Sequence, residues 1–198
     1  MRKNNKLVYG VGINDADYVV CPTINGKQVV CPFYSSWQSM LERCYSSKCL
    51  AKRPTYMGCS VCDEWLTFSN YKRWMETQNW KGKEPDKDLL VRGNKVYSSE
   101  TCVFLDQRTN KFILDSGAAR GEHPIGVSLL RGKFQAQCKN PFTRKLEYLG
   151  LFLCPNQAHL AWKKCKHEFA CQLAEQQQDL RVADALRQRY APDRDLTK

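Results

Sequence analysis

The chain has 198 residues, 42% of them hydrophobic, and 31 lysines and arginines against 20 aspartates and glutamates give a net charge of +11. This length suits one large or two small domains with their own cores, and the composition excludes a wholly disordered chain. No apolar run approaches the ~18 residues of a membrane span, and the opening MRKNNKLVYGVG lacks the apolar stretch of a secretory leader.

Residues 7–13, LVYGVGI, read as a short strand or extended arm. Trp37, Met40, Leu41 and Cys44 recur at i, i+3, i+4 and i+7, the stripe of an amphipathic helix over 34–46. Pro54 and Gly58 punctuate a loop. Phe68, Tyr71, Trp74 and Met75 define a second helix over 66–76, which Thr67 or Ser69 can cap. Residues 86–114 read as a ββα unit: a strand over 86–91, a turn at Gly93-Asn94, a strand over 101–105, and a helix from about 107 capped by Asp106. A small, glycine-rich linker runs from Asp115 to Glu122. Three short strands follow over 125–151, in IGVSLL, KFQAQC and LEYLGLF. A helix then runs from Pro155 to about Glu175, and another over 179–190 ends before Pro192. The expected fold class is α+β.

The 11 cysteines are an odd number in a chain expected in a cytoplasm, which argues against a disulfide scaffold. Cys59 and Cys62 form a C-x-x-C, a spacing that lets two thiolates meet one tetrahedral zinc ion. Cys44 and Cys102 are the candidates to complete a structural Zn2+ site, with Cys31 and Cys49 in reserve. The alternative is that these thiols only pack in a core. Cys138, Cys154, Cys165 and Cys171 lie in apolar-periodic stretches and read as core.

A ββα unit can hold one divalent metal between a strand carboxylate and a helix amide, where it polarises a scissile phosphate. Asp86 is the candidate carboxylate and Asn110 the candidate helix ligand, hard oxygen donors suited to Mg2+ or Mn2+. The combination of WQSMLERCY, PTYMGCSVCDEW and DKDLLVRGNKVYSSETCVFLDQRTNK resembles the HNH (His-Me finger) endonucleases common in bacteriophages, over roughly residues 8–114. The resemblance implies metal-dependent cleavage of DNA by a ββα-metal nuclease-like domain over 1–115, a phage origin and a bacterial host cytoplasm. It places the catalytic set at Asp86, Lys87 and Asn110. Two positions depart from the family pattern. Lys87 stands where the general-base histidine is expected, and Thr101 stands where a central asparagine is expected. A lysine is cationic at neutral pH and accepts no proton unless burial lowers its pKa by several units; it could instead contact phosphate. Asp88 is a second carboxylate on the same strand face.

The second module alternates as a half-buried sheet does. Phe134, Ala136 and Cys138 are expected to face the helix, and Lys133, Gln135 and Gln137 to face out. Arg131, Arg144, Lys145 and Tyr148 extend the outward set. Glutamine can pair with adenine and arginine with guanine, so this set could read bases as well as phosphates. The pieces GVS, GKFQAQ, YLGLF and AHLAW are similar to the ethylene-response-factor (APETALA-type) DNA-binding domain, over about 121–172. The expected organisation is thus the nuclease-like domain, an APETALA-type domain over 121–176 and a helical tail over 177–198. Two functional readings follow for double-stranded DNA, with no membrane and no small-molecule cofactor. One is a homing-type or nicking endonuclease whose site the C-terminal sheet selects. The other is a catalytically degenerate, sequence-specific DNA-binding protein, a regulator or recombination accessory. A phage factor that binds a host protein is a third class, with no positive support in the sequence. His159 and His167 have no carboxylate or cysteine partner at ligand spacing, His123 sits in the linker, and none of the three is expected to serve as a base.

Overall fold

The computed structural model describes residues 7–114 and 122–192. The chain divides into two compact units, Met1–Leu105 and Asp106–Lys198. The expected linker, apart from Glu122, lies outside the described residues. No helix among the described residues is long and apolar enough to cross a membrane.

In the first unit, a hairpin of β1 (Thr23–Ile24) and β2 (Lys27–Gln28) leads into α1 (Pro32–Tyr45) and the short α2 (Ser47–Lys52). Pro32 opens α1, where a missing N–H is harmless, and the helix buries Trp37, Met40, Leu41 and Cys44 as the periodicity requires. After β3 (Ser60–Val61) and a 3₁₀ turn, α3 (Phe68–Glu76) turns Phe68, Tyr71 and Met75 inward. The packing is largely aromatic. Trp37 Nε1 donates to the Trp65 carbonyl at 2.7 Å, and Trp74 lies 4.3 Å from Trp65 and 5.5 Å from Phe104, ring centre to ring centre.

The arm at 7–13 forms no strand. Val8 and Gly12 bridge each other across a turn, and Ile13 bridges Thr67. Neither Thr67 nor Ser69 caps α3 with its side chain. The arm meets the helix's unpaired donors instead: Phe68 N–H donates to the Ile13 carbonyl at 3.0 Å and Ser69 N–H to Asp15 Oδ1 at 2.9 Å. Gly12 permits this approach, because a Cβ there would lie 2.4 Å from Leu41 Cδ1.

Three short strands complete the unit: β4 (Glu84–Asp86), β5 (Val96–Tyr97) and β6 (Val103–Leu105). β5 runs parallel to β3, and β4 pairs antiparallel with β6 through Asp86↔Val103. The strand expected over 86–91 is therefore displaced: Asp86 closes it, and residues 87–91 are bends. Polar side chains take over the backbone there. Asp86 Oδ1 accepts from the N–H groups of Asp88 (3.1 Å) and Leu89 (2.7 Å), and the Asn94 amide donates to the carbonyls of Lys87 and Val96, both at 2.7 Å. Side-chain oxygens that bond nearby N–H groups in this way compete with a sheet ladder.

The second unit begins with α4 (Gln107–Ile113), capped as expected by Asp106, whose Oδ1 accepts from Thr109 N–H at 2.9 Å. Its sheet consists of β7 (Val127–Leu130), β8 (Lys133–Lys139) and β9 (Leu146–Phe152), antiparallel in that order, followed by α5 (Pro155–Glu175) and α6 (Leu180–Arg189). Ala136 and Cys138 are buried against α5, which turns Ala158, Trp162, Cys165, Phe169 and Leu173 inward. Burial pushes the Cys138 thiol up to about 12, and the neighbouring Cys165 adds to the effect, so both behave as small apolar residues. Gly126 adopts φ +80°, and a Cβ there would lie 2.0 Å from Trp162 Cδ1. The indole therefore rests directly on the backbone that leads into β7. α4 belongs to this unit: Lys166 Nζ donates to the Phe112 carbonyl at 2.7 Å and Arg189 to the Ile113 carbonyl at 3.1 Å.

Candidate nucleic-acid interface

Asp86 and Lys87 sit where β4 ends, in the first unit, whereas Asn110 lies on α4 of the second. Asp86 is largely buried. Burial first, then repulsion from Asp88, holds its carboxyl above the usual value, while the two backbone N–H groups on Oδ1 pull the other way. Lys87 is buried, with its side chain 8% exposed, and its Nζ donates to Asp88 Oδ2 at 3.1 Å and to the Asn94 carbonyl at 2.9 Å. Burial works against its charge, but the Asp88 carboxylate outweighs that and holds the ammonium above its ordinary value. Lys87 is thus not an exposed side chain; it is a clasp that joins two ends of a loop. Thr101 Oγ1 donates to the Val96 carbonyl at 3.0 Å and fixes the same loop from the other side.

The four cysteines expected at zinc do not assemble. Burial, then the adjacent Cys59, pushes the Cys44 thiol up to about 12. Burial likewise lifts Cys102 to about 12, but the acid beside it is Asp86. The half-buried Cys62 has Glu64 and Asp63 for acidic neighbours instead. Among the described residues, no group of three or more His, Cys, Asp or Glu side chains is placed to hold a metal ion. Neither the expected Zn2+ site nor the expected Mg2+ site is marked by such a group. The buried thiols serve the first unit's core.

The sheet of the second unit is built differently. Side chains alternate across a strand, and residues paired in register share a face. With Ala136 and Cys138 inward, Lys133, Gln135, Gln137 and Lys139 point out. Their register partners Leu130, Leu151, Tyr148 and Leu146 point out with them. A bulge at Ala136/Gln137, accommodated by Leu149 and by Gly150 at φ +130°, keeps Tyr148 on the outer face. Tyr148 is 59% exposed and Leu151 45%. The outward residues of these strands include no carboxylate. Glu147, the acid in β9, pairs with buried Cys138 on the other face, where it accepts from the Asn140 amide.

Both hairpin turns carry an arginine in left-handed backbone. Arg131 has φ +49° and Arg144 φ +63°, conformations that an L side chain enters at a cost of roughly 1–2 kcal/mol. Arg131 and Gly132 form the two-residue turn between Leu130 and Lys133. Arg144 lies in the β8–β9 turn, where Asn140 Oδ1 accepts from the N–H groups of Phe142 (2.8 Å) and Thr143 (3.1 Å), and Lys145 follows, exposed. The outward set expected from the sequence is therefore brought onto one face and its two turns. The sequence reading missed Leu130, Leu146 and Leu151, which register with the expected residues would have identified. It also missed Arg108, Lys111, Lys139 and Lys166, which line a cavity in this unit.

A 115-residue alignment is 30% identical to the ethylene-responsive transcription factor ERF117 of Arabidopsis thaliana, covering 53% of this chain and 35% of that protein. The chain thus spans about a third of the length of this curated relative. No family model matches the chain, and no solved structure matches it. Of the two resemblances read in the sequence, this similarity bears on the second.

Proposed function

We propose that this is a DNA-binding protein whose three-stranded sheet lays its outer face in a groove of duplex DNA. One observation carries this reading: an acid-free sheet face on which Lys133, Gln135, Gln137 and Tyr148 stand together between two turn arginines. Lysine and arginine neutralise phosphates, glutamine hydrogen-bonds base edges, and exposed leucines and tyrosine fit methyl groups and sugars. The similarity to a transcription factor supports the same reading. Binding-site selection from random duplexes tests it. The unmutated protein should enrich a defined motif. Gln135→Ala combined with Gln137→Ala should lower discrimination on the order of tenfold or more. Enrichment of no motif, or the same motif with unchanged discrimination in the variant, would overturn sheet-mediated readout.

Cleavage by the first unit is not part of the proposal. Lys87 and Asp88 neutralise each other, and Asp86 is committed to its loop. Plasmid DNA incubated with the protein and Mg2+ or Mn2+ should stay supercoiled. Nicking that disappears in Asp86→Ala would restore the nuclease reading.

A further inference from the structure

The second unit holds a cavity of about 430 Å3 where α4 meets the end of β8 and the β8–β9 turn. Five cationic side chains line it: Arg108 and Lys111 from α4, Lys139 from β8, Arg144 from the turn, and Lys166 from α5. No carboxylate does. Two of the five are fixed by the fold. Lys166 donates to the Phe112 carbonyl and lies 3.6 Å from the centre of the Phe112 ring, and Arg108 lies 5.5 Å from the centre of the Phe142 ring while donating to Gln176 Oε1 at 3.4 Å. Among the described residues, the side chains of Lys111, Lys139 and Arg144 make no hydrogen bond or ion pair, and all three are exposed.

Like charges gathered in one concavity repel, and a cavity with low-dielectric walls focuses their field, so the arrangement is favourable only when an anion shares it. Arg144 sharpens the point. Its φ of +63° is a position where glycine would relax the backbone, yet the fold carries a cation there and aims a fifth charge at the pocket. Lys139 links the pocket to the sheet, since it lines the cavity and also ends the outward row Lys133, Gln135, Gln137.

We infer that this cavity is a phosphate site that grips the DNA backbone beyond the stretch covered by the sheet. The inference rests on the proposed DNA-binding reading and adds to it a second, sequence-independent contact supplied by α4 and the β8–β9 turn. The sheet selects a site, and the pocket clamps the flanking strand and contributes affinity without selectivity.

Fluorescence anisotropy on a duplex carrying the selected motif tests this, with salt varied from 50 to 200 mM. The pocket variant is Arg108→Ala with Lys111→Ala, two exposed positions on α4 that are no part of the sheet face. Each lost phosphate contact should lower the slope of log affinity against log salt by about 0.9. The variant should therefore lose about 1.8 in slope and roughly 60-fold in affinity at 0.1 M salt, with its motif preference unchanged. The sheet variant Gln135→Ala with Gln137→Ala should show the converse, weakened preference with the slope retained. A pocket variant with unaltered slope and affinity, beside a sheet variant that loses preference, overturns the pocket and leaves the sheet reading standing. Failure of the unmutated protein to bind duplex overturns both. A rise in Tm with inorganic pyrophosphate that the pocket variant lacks, together with an unaltered DNA slope, would assign the pocket to a free oligophosphate and overturn the backbone assignment.

Discussion

The turn between β7 and β8 offers a substitution whose effects on stability and on binding have opposite signs. Arg131 and Gly132 occupy its two central positions at φ +49° and +76°. A two-residue turn with both residues left-handed is the mirror-image hairpin turn that most favours Asn-Gly. Arginine there forgoes roughly 1–2 kcal/mol, and asparagine, whose short side chain tolerates the region, should recover about half of it, or 0.5–1 kcal/mol. A domain of 60–100 residues shifts by roughly 4–8 °C per kcal/mol, so Arg131→Asn should raise the Tm of the second unit by about 2–8 °C. The same change removes one charge from the proposed DNA-binding face. With a slope of about 0.9 per contact referred to 1 M salt, the loss at 0.1 M is about eightfold in duplex affinity. Differential scanning calorimetry and salt-dependent anisotropy read the two effects independently. A variant that loses stability would refute the strained turn. One that gains stability while binding duplex as tightly as the parent, with the same salt slope, would show that Arg131 is not held in its strained conformation for contact with phosphate.

Gly126→Ala should destabilise the second unit by about 2–5 kcal/mol, combining left-handed strain with a Cβ placed 2.0 Å from Trp162 Cδ1. A urea melt would register this, and an unchanged midpoint would mean that the indole does not rest on that backbone. Asp86→Asn keeps an oxygen for the Asp88 and Leu89 N–H groups but removes a buried carboxyl whose pKa lies above its unfolded value. A raised carboxyl pKa adds stability when the group is protonated, below its unfolded pKa near 4, and that contribution is lost as pH rises through the folded value. The variant should therefore be at least as stable as the parent at pH 7 and lose that advantage by pH 4, as urea midpoints at the two pH values would show. A variant clearly weaker at pH 7 would mean that the ionised carboxylate stabilises the loop.

What the sequence revealed depended on whether a local pattern carried the information. The α1 stripe, the Asp106 cap and the α5 helix were legible because each is set by residues within a few turns of one another. The sheet face was legible because its period of two survives through β8; the bulge that keeps Tyr148 outward was not, since it arises from pairing between strands. The strand expected over 86–91 failed because two side chains, Asp86 at its start and Asn94 beyond its end, bond the backbone themselves. The C-x-x-C suggested a metal site from spacing alone, a pattern that does not carry the positions of the two further ligands such a site needs. The cationic cavity had no local pattern at all, because α4, β8, the following turn and α5 each contribute one or two of its cations.

The two candidate sites differ in how their charges are balanced, and that difference decides which can attract a polyanion. At the end of β4, the Lys87 ammonium meets the Asp88 carboxylate at 3.1 Å and a backbone carbonyl at 2.9 Å. Asp86 is answered by backbone N–H groups. A cation already paired in this way is not available to neutralise a phosphate, so it adds little to binding driven by release of the counterions condensed on nucleic acid. Breaking such a pair would leave a buried charge uncompensated, at a cost of several kcal/mol, so the loop favours its internal partners over an incoming phosphate. On the sheet of the second unit, the cations stand beside amides and apolar side chains, and Glu147 is turned to the opposite face. Cations arranged in this way are neutralised only by an outside partner, and the two strained arginines hold them there at the expense of stability. Unpaired positive charge, presented at a conformational cost beside glutamines able to distinguish one base pair from another, is the arrangement on which the proposed duplex binding and site choice rest.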